Sequence, residues 1–144
     1  MKTQKGILAL SIILILTVFV VFAAAGGEHK IDLKADKSGK GAKGEVVVID
    51  KGADQKEITI TMKGLKPNSI YTVWLVNMKP KMDMLGVGTG DYSFKSDDKG
   101  NGSYNATISK TELDKWQMFK IAYHPDGDPK NMKNIEIVLM APVK

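Results

Sequence analysis

The chain contains no cysteine and no arginine, and among its 144 residues there are two histidines, five prolines and 7% aromatics. Without thiols there is no disulfide scaffold, no cysteine-ligated zinc or iron–sulfur site, no thiol nucleophile and no lipobox for acylation. Without guanidinium groups nothing makes the bidentate contacts that dominate base readout, which sets nucleic acid aside as a partner. All 21 basic residues are lysine, and against 16 acidic residues they leave a net charge of +5, mainly a solubility term. With His29 and His124 as the only imidazoles, no complete nucleophile–base set can be assembled, and the chain reads as non-enzymatic.

There is one long hydrophobic run. Met1 to Gly6 carries Lys2 and Lys5, and an uncharged stretch follows from Ile7 to Ala25, ending in Ala23-Ala24-Ala25-Gly26-Gly27. Basic, apolar and small residues in that order make a secretory signal, and Ala23 with Ala25 satisfies the A-x-A pattern for cleavage. The run exceeds the roughly 7–15 residues of a signal core and approaches the roughly 20 that span a bilayer, so an uncleaved membrane anchor is the rival reading. Under both, Lys2 and Lys5 keep the amino terminus cytoplasmic and place the remainder outside, periplasmic or secreted. The membrane is touched only through residues 7–25, and only if they are retained.

Residues 26–43 read as a Lys/Gly-rich linker. Ile31 and Leu33 alternate there as a possible edge strand before Ser38-Gly39-Lys40-Gly41. From residue 44 to 144 the pattern is β throughout. Glu45 to Ile49 is β-branched, Ile58, Ile60 and Met62 share one face, and Ile70 to Met78 is apolar on both faces like a central strand. Tyr92 to Lys95 and Ser103 to Ile108 flank a turn at Asp97-Asp98-Lys99-Gly100-Asn101-Gly102 and predict a hairpin. Met118 to His124 and Asn134 to Ala141 complete the set, with Ile135, Ile137 and Leu139 in phase. Ser109 stands three residues before Glu112 as a capping box for one helical turn. The expected fold is all-β: a single antiparallel Greek-key, immunoglobulin-like β-sandwich of seven or eight strands after an N-terminal signal or anchor helix.

Leu65-x-Pro67-x-x-x-Tyr71 has the spacing of a tyrosine corner, in which the ring enters the core and the hydroxyl returns to the loop backbone. Together with Tyr71-Thr-Val-Trp74-Leu-Val76, it resembles the G-L-P…Y-x-L-W-L-V run of the extracytoplasmic carboxyl-terminal domain of anti-sigma-K factors. Phe94 through Gly100 is similar to that family's F-x-x-D-x-x-G hairpin, and Pro125-Asp-Gly127-Asp-Pro129 to its P-x-G-x-P loop. The resemblance covers residues 64–141 and implies an extracytoplasmic β-sandwich behind a membrane segment. It implies no anti-sigma activity, which belongs to a cytoplasmic domain.

Met78, Met82 and Met84 stand within seven residues around Pro80. Exposed thioethers favour Cu(I), and exported proteins use methionine where thiols would oxidise. His124, Met118 and Met132 are the candidates to join them. The opposing reading makes these methionines flexible core filler, and inward-facing Met82 and Met84 would decide for it. Cleavage after Gly26 would also expose Gly27-Glu28-His29, a terminal Cu(II) chelate. Asp97 to Gly102 half resembles a calcium loop, but lysine occupies a ligand position, which leaves a hairpin turn. The function expected is an exported, non-enzymatic cell-envelope module that binds or supports another envelope protein and carries no cofactor. The alternative is a periplasmic copper-binding protein using Met78, Met82, Met84 and His124.

Overall fold

The computed structural model describes residues 27–144, so the expected signal or anchor helix lies outside the described residues. Nine strands belong to one curled antiparallel sheet: β1 (Glu28–Ala35), β2 (Lys43–Asp50), β3 (Gln55–Lys63), β4 (Ile70–Asn77), β5 (Asp83–Gly86), β6 (Ser93–Lys95), β7 (Gly102–Ser109), β8 (Met118–His124) and β9 (Glu136–Pro142). Their order is β5-β4-β8-β9-β1-β2-β3-β7, with β6 continuing the β5 edge of β4. The helical pieces among the described residues are a 3-10 turn at Lys37–Gly39 and α1 (Lys110–Leu113). None of the described helices is long and apolar enough to cross a membrane.

The sheet curls because β1 serves two neighbours in succession. Its Glu28 to Leu33 pair with β2, whereas Lys34 and Ala35 pair with β9. Residues 28–35 are therefore an internal strand and not the linker or edge expected from their lysines. The charged residues of this segment occupy the solvent side, while Ile31 and Leu33 face inward and are buried. Gly39 permits the turn that follows. A Cβ there would lie 1.9 Å from the Val138 carbonyl oxygen, so only glycine lets the chain pass β9 this closely.

The concave face closes on one core. Val46, Val48, Ile58, Ile60 and Met62 from one wing meet Tyr71, Val73, Leu75, Phe119, Ile121 and Leu139 from the other. Alternation puts every second residue of these strands inside, the two-residue period of a half-buried sheet. Where the wings' free edges approach, the Tyr104 hydroxyl on β7 donates to the Val87 carbonyl just after β5. Leu113 and Trp116 add to the core from the α1 end, and the Trp116 indole donates to Glu112 Oε1 at 3.1 Å. The helical turn is capped by Ser109 Oγ, which accepts the Glu112 N–H at 3.0 Å.

At the corner before β4, the Lys66 N–H donates to the Tyr71 hydroxyl at 2.9 Å while the ring stacks on Phe94 at 5.4 Å. Burial pushes the Tyr71 hydroxyl above its ordinary pKa, so it stays a neutral hydrogen-bonding group. Leu65 is buried beside it, and Pro67 lies exposed on the turn.

One expected phase is broken. Ile121 pairs with Leu139 but its neighbour Ala122 pairs with Ile137, so Val138 is an extra residue, a bulge in β9. Leu139 enters the core, and Ile135 and Ile137 are displaced to the opposite, outer face. That shift furnishes part of the candidate site.

Candidate functional site: a methionine face outside the sheet

The outer face of the β5-β4-β8-β9 wing can be built row by row from its register. Met84 lies beside Val76, and Val76 beside Met118. In the next row Gly86, Trp74, Lys120 and Met140 follow one another, and then Thr72, Ala122 and Ile137. Met78 continues the outward parity of β4, and its Sδ lies 3.6 Å from Lys120 Nζ. Six of the seven methionines among the described residues thus gather on or above this one face, and only Met62 belongs to the core.

Two segments fold back over the face. The first, residues 87–92, sets the Tyr92 ring edge-on to Trp74 at 5.4 Å. Tyr92 holds φ at 61°, an unfavourable left-handed value for so bulky a residue. Gly86 makes the space, since a Cβ there would meet the Tyr92 ring at 2.1 Å. The second, residues 125–135, is stitched by its own side chains. Asp126 Oδ1 accepts the Asp128 N–H at 3.0 Å, Asp128 Oδ1 accepts the Lys130 N–H at 2.9 Å, and Asn131 Nδ2 donates to Asp126 Oδ2 at 2.5 Å. The bonds from the Asp128 N–H and then from Asn131 hold the Asp126 carboxyl below the usual carboxylate range.

Between the two segments Trp74, Val76, Met82, Met84, Met132, Ile135 and Ile137 line an apolar groove of about 230 Å³, with Lys120 at its side. Trp74 and Met132 also border a neighbouring depression of about 520 Å³ toward Asp91 and Lys130. Met82 and Met84 are 65% and 42% exposed, and Met78 48%, whereas Met62 is 2% exposed. Methionines this exposed are not core filler. At the root of the loop, Gln117 Oε1 accepts the Met78 N–H at 2.9 Å and its Nε2 donates to the Lys79 carbonyl at 2.8 Å.

His124 does not join the methionines. It pairs with Ile70 at one end of β4, whereas Met84 pairs with Val76, six residues further along and about 20 Å away at roughly 3.3 Å per residue. Its ring is 1% exposed, and Nε2 lies 2.8 Å from Thr72 Oγ1, which accepts the Trp74 indole N–H at 2.7 Å. Nδ1 has no hydrogen-bond partner among the described residues. The four-residue set Met78, Met82, Met84 and His124 is therefore not one coordination sphere. Met132, and not His124, lines the groove beside Met82 and Met84, and the Lys120 ammonium engages the Met78 sulfur. His29 lies on β1 opposite Val48, exposed and on a different part of the sheet.

Other candidates resolve as local structure. Asp97 Oδ1 accepts the N–H groups of Lys99 at 2.9 Å and Asn101 at 2.8 Å, which makes the acidic loop a self-bonded turn. It is not the expected hairpin, because β6 pairs with β4 and β7 with β3, so the turn carries the chain from one wing to the other. Among the described residues no three His, Asp or Glu gather as metal donors. Sequence reasoning missed Trp74, Ile135 and Ile137 as walls of a site. The bulge that turns the isoleucines outward is a pairing event that neither strand announces alone.

Comparison with protein-family models, with curated proteins and with solved structures finds no significant match to this chain.

Proposed function

We propose that this protein is an exported, non-enzymatic module of the cell envelope that acts by binding another envelope protein, and that its binding face is the methionine face of β4, β8 and β9. The observation that carries the reading is Met82 and Met84, exposed beside Trp74 at the mouth of an apolar groove. Exposed apolar side chains clustered on a folded surface mark an interaction site, and methionine is the side chain best able to remould to a partner. The Greek-key sandwich is part of the proposal, supported by two wings that fold over one core and by the resemblance of residues 64–141 to an extracytoplasmic sandwich domain. Export is supported by the basic, apolar and small-residue order of residues 1–27.

A photoreactive residue placed at Met84, and in a control at exposed Thr107 on β7, tests the reading in cells. Cross-links to a defined envelope protein from position 84 and none from 107 are expected. Equal labelling from both positions, or none from 84, overturns it.

A further inference from the structure

We propose that the groove binds one Cu(I) ion through the sulfurs of Met82, Met84 and Met132, with Trp74 as its aromatic neighbour. The proposal rests on the methionine face being a binding face, and it names a ligand that the face carries.

The three thioethers come from two segments far apart in sequence. Met82 belongs to the turn after β4, Met84 to β5 and Met132 to the self-bonded loop after β8, yet all line the same groove. Thioether sulfur is neutral, soft and has no proton to lose, so it discriminates for Cu(I) against hard cations. The lining offers no carboxylate or imidazole that would attract calcium or zinc. Val76, Ile135 and Ile137 supply dry walls, which favour the univalent ion over its more strongly hydrated divalent form. An indole at the same wall attracts a cation through its π face.

One feature opposes the ion. Lys120 brings an ammonium to the groove, held against Met78 Sδ at 3.6 Å. It removes Met78 from the ligand set and weakens the site by like-charge repulsion.

The protein, expressed from its full sequence and purified, is titrated anaerobically with Cu(I) against a chromophoric Cu(I) chelator. One-to-one binding is expected, with Trp74 emission quenched. The triple variant Met82→Leu, Met84→Leu, Met132→Leu keeps apolar volume and should lose roughly 100-fold or more in affinity, since no soft donor set remains. Lys120→Gln should tighten binding several-fold. As an independent readout, Ag(I) added to protein carrying ¹³C-methyl methionine should move the methyl resonances of Met82, Met84 and Met132. The Met62 methyl in the core should stay in place and report an intact fold. No binding, or binding unchanged in the triple variant, overturns the proposal. No copper binding by the parent protein, with position-84 cross-links present, removes the metal alone. Copper binding without those cross-links removes the protein partner alone.

Discussion

The indole N–H of Trp74 donates to Thr72 Oγ1 at 2.7 Å, two residues along the same strand and on the same outer face. Thr72 Oγ1 in turn lies 2.8 Å from His124 Nε2 on β8. Oγ1 accepts from the indole, and its own proton is then free to donate to the imidazole. Trp74 is consequently fixed by a hydrogen bond as well as by Tyr92, and the wall of the methionine groove is pre-set before anything binds.

Thr72→Val removes that oxygen while keeping the shape of the side chain. The Trp74 and His124 nitrogens lose their partner, and Thr72 and His124 are fully buried. Urea unfolding should show a loss of about 1–3 kcal/mol, and Thr72→Ser should recover most of it. An unchanged midpoint in Thr72→Val would remove the hydrogen bond from the account.

Gly39→Ala tests the passage of the chain beneath β9. The new methyl would lie 1.9 Å from a backbone oxygen that is itself part of the β9 bulge, so no side-chain rotation relieves it. A loss of about 1–3 kcal/mol is expected from overpacking of this kind. A neighbouring exposed change, Lys37→Ala, should stay within about 0.5 kcal/mol of the parent. Equal midpoints for the two variants would contradict the close approach.

Acid should destabilise the protein through its turn carboxylates. Hydrogen bonds from Asn101 hold Asp97 below its ordinary pKa, as those from Asp128 and Asn131 do for Asp126. A carboxyl depressed in the folded state contributes stability that is complete above its unfolded value of about 3.8 and is lost as pH falls through the lower folded value. Thermal midpoints should therefore hold steady above that value and fall below it, with a shallower fall in Asp97→Asn. An identical acid limb in the variant would place the effect elsewhere.

The β character was legible because alternation is local: Ile58, Ile60 and Met62 occupy one side of β3, and all three are buried. What the sequence could not display was which strands meet. Ile31 and Leu33 look like a marginal edge among lysines, yet β1 links the two wings because it exchanges β2 for β9 along its length. The in-phase reading of Ile135, Ile137 and Leu139 failed at a bulge visible only in the β8–β9 register. Likewise, Met84 and His124 were grouped by chemistry, whereas pairing to opposite ends of β4 keeps them apart. Met132 reaches the methionine groove through a loop closed by its own aspartates, a long-range placement that local pattern does not encode.

The most direct test of a solvent-facing methionine face that is covered by a partner is peroxide footprinting read by mass spectrometry, on the purified protein and on intact cells. Met82 and Met84 should oxidise much faster than Met62 in the purified protein and become protected in the envelope. Rates for Met82 and Met84 as slow as Met62 in the purified protein, or undiminished in cells, would contradict the account.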